Sequence, residues 1–177
     1  PEGGAEGMIL TSGGRFAGYG FYLLEGKPVF LWNLVNLKRV KWEGPEALTP
    51  GKHTIEFDFK YDGLGIGTLA FNNMSGIGRP GTGTLKVDAK VVDTKEMKRT
   101  LPIILQWDES FDIGSDTLTG VNDADYKPPF PLTAKLNKLT IKVDRPQLTE
   151  EDVKKLENTQ AIAVDGNPIH HLQGGPH

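Results

Sequence analysis

His53-Thr54-Ile55-Glu56-Phe57-Asp58-Phe59-Lys60-Tyr61 is the stretch that decides the fold. Apolar Ile55, Phe57, Phe59 and Tyr61 alternate with polar Thr54, Glu56, Asp58 and Lys60. A strand turns successive side chains to opposite faces, so a period of two predicts a strand half in a core and half in water. Thr49-Pro50-Gly51-Lys52, just before it, reads as a turn.

Working outward, Gly18 to Leu24 and Val29 to Leu34 are strand candidates, joined by the short hairpin connection Glu25-Gly26-Lys27-Pro28. Lys38 to Trp42 is a third, shorter one. Thr84 to Asp88 and Val91 to Lys98 form a further hairpin. Phe111-Asp112-Ile113-Gly114-Ser115-Asp116-Thr117 reads as a short strand whose glycine marks a bulge or a close backbone approach. Lys135 to Val143, apolar at Leu136, Leu139, Ile141 and Val143, predicts the strand that closes the structure. Asp62 to Gly83 is a Gly-rich surface loop or a loop with an extra hairpin, and 117–131 is a loop carrying Pro128, Pro129 and Pro131. About nine short strands with no long helix in the body predict an all-β fold, a two-sheet antiparallel β-sandwich over 7–145.

Residues 146–177 have another character. Thr149-x-x-Asp152 has capping-box spacing, and Leu148 and Val153 are placed for a hydrophobic staple. A helix is expected from about 150 to 158, with Val153 and Leu156 as its apolar stripe. The tail after Asn158 is expected to be mobile or to dock through Ile162 and Val164.

Bulk properties limit the function. A chain of 177 residues buries roughly 70% of its unfolded surface, so its core needs no metal or disulfide. The net charge of −3 gives no basic field for nucleic acid or an anionic membrane. The absence of cysteine excludes disulfides, thiolate zinc sites and a cysteine nucleophile. No apolar run approaches the ~20 residues of a helical membrane span. The opening Pro1-Glu2-Gly3-Gly4, with no signal peptide, reads as the start of a piece of a longer protein.

Several segments, in order, carry a resemblance. They are Gly13-Gly14-Arg15-Phe16-Ala17-Gly18-Tyr19, Gly26-Lys27-Pro28-Val29-Phe30, Pro50-Gly51-Lys52-His53-Thr54-Ile55, Trp107-Asp108-Glu109-Ser110-Phe111-Asp112-Ile113-Gly114-Ser115-Asp116-Thr117 and Ala134-Lys135-Leu136-Asn137-Lys138-Leu139. Together they resemble the C-terminal region of large bacterial arylsulfatases over roughly residues 7 to 145, a domain-sized span. Leu85-Lys86-Val87-Asp88-Ala89-Lys90-Val91 resembles the aliphatic-x-Val-Asp-Gly hairpin of concanavalin A/laminin-G-like jelly rolls, with Ala89 in place of the glycine. The resemblance implies that jelly roll, a periplasmic or secreted location, and a parent enzyme that hydrolyses sulfate esters. It also implies that the parent uses a formylglycine and a divalent cation.

The catalytic part is not legible here. A formylglycine site needs Cys/Ser-x-Pro-x-Arg, and Ser75-Gly76-Ile77-Gly78-Arg79 has isoleucine where proline must stand. No cofactor is therefore required by this chain. Gly76-x-Gly78-x-x-Gly81 leads into a strand and offers a pyrophosphate no helix N-terminus. His53 opens a strand and reads as structural, while His170, His171 and His177 lack metal-site spacing. Asn73-Met74-Ser75 is a glycosylation sequon by letter and marks an exposed loop. Glu56 and Asp58 share one polar face, but no second strand offers the opposed carboxylate a glycosidase needs.

Two sets of residues are candidate sites. Asp108, Glu109, Asp112, Asp116, Asp123 and Asp125 are hard oxygen donors on loops and strand ends, suited to a structural Ca²⁺ or to solvated capping of turns. Trp32, Trp42, Trp107, Tyr19 and Tyr22 form either a sugar-stacking platform with Asn33 and Asn36 or part of the core. The first hypothesis is a non-catalytic accessory domain packed on a sulfatase catalytic domain. The alternative is an independent carbohydrate-binding module of lectin or laminin-G type. The first predicts a bare apolar patch, the second a polar-rimmed groove with exposed aromatics.

Overall fold

The computed structural model describes residues 1–62, 80–98, 100, 109–144 and 149–165. The described residues form an all-β fold, with antiparallel strands in two sheets and one helix. The described strands are β1 (Gly7–Gly13), β2 (Ala17–Leu24), β3 (Lys27–Leu34), β4 (Lys38–Glu43), β5 (Ile55–Tyr61), β6 (Gly81–Val87), β7 (Lys90–Met97) and β8 (Phe111–Ile113), followed by helix α1 (Glu150–Asp165). One sheet has the order β4-β3-β2-β1-β8, the other β5-β6-β7. The Gly-rich segment 63–79, with the sequon and the Ser75–Arg79 motif, lies outside the described residues.

Turn chemistry explains two of the hairpins. Glu25 and Gly26 between β2 and β3 both have positive φ (51° and 79°), as a two-residue type I′ turn requires. Asp88 and Ala89 do the same between β6 and β7 at 49° and 66°. Ala89 thus occupies a left-handed position that glycine fills at less cost.

The sheets meet face to face through aromatic side chains. Along the inner face of the larger sheet, Ile113 lies opposite Leu10, Leu10 opposite Phe21, Phe21 opposite Phe30, and Phe30 opposite Trp42. Phe57 of β5 stacks on Phe30 at 3.5 Å between centroids and meets Trp42 edge-on at 4.9 Å. Trp42 Nε1 donates to the Gly83 carbonyl at 2.8 Å. A Cβ on Gly83 would stand 2.5 Å from the Trp42 ring, so the missing side chain is what lets the sheets close here. Polar contacts join the same layers: Glu43 N donates to Asp93 Oδ2 at 3.0 Å, and Lys95 Nζ to the Lys41 carbonyl at 2.5 Å.

The outer face of the larger sheet is buried too. Met8, Tyr22, Val29 and Leu31 form a second core with Val121, Tyr126 and Phe130 of the loop 114–131. Gly20 admits this loop, since a Cβ there would lie 2.8 Å from Val121 Cγ2. Backbone bonds zip the end of the loop onto the start of β1: Met8 N to Phe130 O at 2.9 Å and Thr133 N to Glu6 O at 2.8 Å.

Three expectations are corrected. Gly7–Gly13 is a central strand that the sequence reading left unassigned. Residues 135–144 are not a strand and pair with none of the described strands. Leu139 of this segment reaches the inner core, whereas Leu136, Ile141 and Val143 remain exposed. Alternation specifies which side chains share a face, but a strand also needs a neighbour's backbone to satisfy its own. Finally, α1 runs on through Asn158 to Asp165, where a tail was expected. Its start is as predicted, with Asp152 N donating to Thr149 Oγ1 and Thr149 N to Asp152 Oδ2, each at 3.1 Å.

Candidate functional site

The acidic residues lie where β8 and the loop 114–131 fold onto the larger sheet. Asp112 accepts from the Ser110 hydroxyl at 3.0 Å, from Thr117 N at 3.0 Å and from Thr117 Oγ1 at 2.6 Å. Glu109 accepts from the Thr119 hydroxyl. Asp123 pairs with Arg15 at the surface, 2.9 Å from Nε and 2.8 Å from Nη2. Asp125 accepts from the Tyr22 hydroxyl and lies 3.2 Å from Lys41 Nζ. Each of these carboxylates takes different donors, close in sequence for Glu109 and Asp112 and distant for Asp123 and Asp125, and together they fasten the loop at several points. Short donors beside Asx-type side chains favour such local closure.

Asp116 differs from the others. It is 1% exposed. One carboxyl oxygen accepts from the Tyr126 hydroxyl, which in turn accepts from Val121 N at 3.1 Å. The other, Oδ1, has no hydrogen-bond partner among the described residues. Burial pushes the Asp116 carboxyl up to about 6, the Tyr126 hydrogen bond opposes this, and the negative Asp112 and Glu109 reinforce it. Burial likewise raises the Tyr22 and Tyr126 phenols, with their carboxylate partners adding to the shift.

A shared cation needs oxygens converging on one point. Among the described residues no three His, Cys, Asp or Glu side chains are grouped to hold a metal ion. Glu109, Asp112, Asp116, Asp123 and Asp125 instead engage the donors named above, and Asp108 lies outside the described residues.

The aromatic candidates also divide. Trp42 is fully buried between the sheets and has no face left for a sugar, which corrects its place in a stacking platform. Tyr22 is buried on the outer face against Tyr126. Asn33 is fully buried, donating to the carbonyls of Gly14 and Arg15 at 2.9 Å and accepting from Asn36 N at 3.2 Å, so it too is unavailable to a ligand. Tyr19 and Trp32 are half-buried cross-strand partners on the inner face, with Tyr19 stacked on Phe30 at 5.7 Å. Trp107 lies outside the described residues. Glu56 is paired with Lys86 at 2.6 Å on the exposed face of the smaller sheet.

An apolar pair on the edge strand β8 is left half covered. Phe111 and Ile113 are 49% and 53% exposed, and they face the same side as Leu10 and Ser12 of β1. Opposite the inner face, the β6–β7 hairpin packs against β4, at the far edge of the sheet from β8.

The sequence reading missed Arg15, Lys41, Tyr126 and Phe130, which join the loop to the sheet. Met8-Ile9-Leu10, bounded by Gly7 and Gly13, carried a usable strand signal. The partners of Arg15 and Lys41 are over eighty positions away and left no local signal. Among the described residues no helix is long and apolar enough to cross a membrane. No family model matches the chain, and neither does any curated protein or solved structure.

Proposed function

We propose that this chain is a non-catalytic accessory domain that packs on the catalytic domain of an arylsulfatase-like sulfate-ester hydrolase. The observation that carries this reading is the exposed apolar pair Phe111 and Ile113 on the edge strand β8. Half-exposed side chains of this size on one strand face favour a partner, since covering each remaining half contributes about 1 kcal/mol. The ordered motifs that resemble arylsulfatase C-terminal regions suggest the kind of partner. The concanavalin A-like jelly roll belongs to the same proposal.

The test compares hydrolysis of a chromogenic aryl sulfate by this chain alone and by a longer polypeptide that includes a sulfatase catalytic domain. Turnover only by the longer polypeptide is expected, and Phe111→Ser with Ile113→Thr should loosen the docked domain to limited proteolysis. Turnover by the isolated chain would overturn the proposal.

A second reading, a glycan-binding module, draws on the adjacent Tyr19 and Trp32 rings. It predicts saturable quenching of tryptophan fluorescence by oligosaccharide, abolished in Trp32→Ala.

A further inference from the structure

His53 stands on the connection that crosses from the larger sheet to the smaller one, two residues before β5. Its Nδ1 is 2.8 Å from Asp88 Oδ2 in the β6–β7 turn. Its Nε2 is 2.7 Å from the Thr49 carbonyl oxygen. Both neighbours are acceptors and neither can donate. A neutral imidazole carries one N–H and satisfies one of them, whereas the imidazolium carries two and satisfies both.

The surroundings reinforce this geometry. Asp88 Oδ1 accepts from Thr54 N at 2.8 Å, and Asp88 N donates to the Thr54 carbonyl at 2.8 Å. The carboxylate is thus held in place by the backbone it faces. At the other end of the connection, Leu48 N donates to the Gly26 carbonyl at 2.9 Å, tying it to the β2–β3 turn. The charges next along the strands, Glu56 and Lys86, pair with each other at 2.6 Å, one rung beyond Ile55 and Val87. Lys52 and Lys90 flank the site in sequence. Asp88 is the acidic group that touches the ring.

We propose that His53 is a proton-operated latch, whose imidazolium fastens the inter-sheet connection to the β6–β7 turn and whose deprotonation frees one end. On losing its proton the ring keeps one N–H. If that stays on Asp88, Nε2 presents a lone pair to the Thr49 carbonyl. The ring then turns toward the Thr49 hydroxyl, 3.4 Å away, which can donate. The hydrogen bonds to Asp88 and to the Thr49 carbonyl both favour the charged form, so the His53 pKa lies above its ordinary 6.5. The latch is therefore closed below that elevated value and opens as pH rises through it.

The experiment is a nuclear magnetic resonance titration of the full chain, with the His53 ring signal identified by its loss in His53→Gln. Both ring nitrogens should be protonated under mildly acidic conditions, and the titration midpoint should lie above the ordinary 6.5. Asp88→Asn should return the midpoint toward it. Amide exchange at Thr54 and Asp88, corrected for the intrinsic effect of pH, should accelerate several-fold across the midpoint. This acceleration should be absent in His53→Gln. A His53 midpoint at or below 6.5 would overturn the proposal. So would exchange at Thr54 that follows pH identically in the wild type and in His53→Gln. The ring titration and Asp88→Asn decide the matter even where His53→Gln folds poorly.

Discussion

Replacing Asp116 by Asn should flatten the dependence of stability on pH. In the unfolded chain the Asp116 carboxyl titrates near 3.8, and in the fold it titrates near 6. Between these values the folded state holds the extra proton, so stability falls as pH rises. The contribution is complete below about pH 4 and is lost as pH climbs through 6. At ~1.4 kcal/mol per pKa unit the full shift amounts to about 3 kcal/mol. Of this, about 2 kcal/mol falls between pH 4 and 8, because the unfolded carboxyl is already partly ionised at pH 4. Asparagine keeps a carbonyl for the Tyr126 hydroxyl and carries no charge, but it places an amide where Oδ1 lacks a partner. That amide costs about 1–3 kcal/mol at every pH. The informative quantity is thus the difference between the wild-type and Asp116→Asn curves, not either stability alone. Urea unfolding at a series of pH values should show the wild type losing about 2 kcal/mol relative to the variant between pH 4 and 8. His53 and Asp88 titrate in both proteins and cancel. Parallel curves would refute the argument, because they would mean that the buried carboxylate is ionised at no cost.

Other outcomes follow from the packing. Gly83→Ala drives a methyl group to 2.5 Å from the Trp42 ring and 2.8 Å from Phe57. It should cost about 1–3 kcal/mol in urea unfolding with the m-value unchanged. Asn33→Ala removes a buried amide that joins the Gly14 and Arg15 carbonyls to Asn36 N. A loss of about 2–3 kcal/mol by thermal or urea unfolding is expected, and a loss under about 0.5 would contradict the hydrogen-bond reading. Thr149→Ala breaks the reciprocal cap of α1 and should lower its helical circular dichroism, at a cost of about 1 kcal/mol to the helix.

Much of the smaller sheet was legible locally. The alternation from Ile55 to Tyr61 places Phe57 and Phe59 toward the core, as found, and the Asp88-Ala89 turn pairs Val87 with Lys90, the register then shifting between Lys86 and Leu85. The cap of α1 was legible because its partners are three residues apart. The helix end was not, since the residues from Asn158 onward carry no stop signal before Gly166. The candidate site was less legible. The sequence exposed an acidic cluster, and only the fold assigned Asp123 to Arg15, Asp125 to Tyr22 and Lys41, and Asp116 to Tyr126.

The sequence by itself determined the period of the strands, the places of the hairpin turns and the start of the helix, all of which depend on neighbours within a few residues. Tertiary structure decided which strands found partners, leaving Lys135 to Val143 without a partner among the described strands despite its alternation and giving Gly7–Gly13 a central place. It also decided which aromatic rings are core and which remain on a surface, burying Trp42 while leaving Phe111 half exposed. Both decisions are made by groups distant in the chain, because backbone pairing and burial depend on what the folded chain brings alongside a residue.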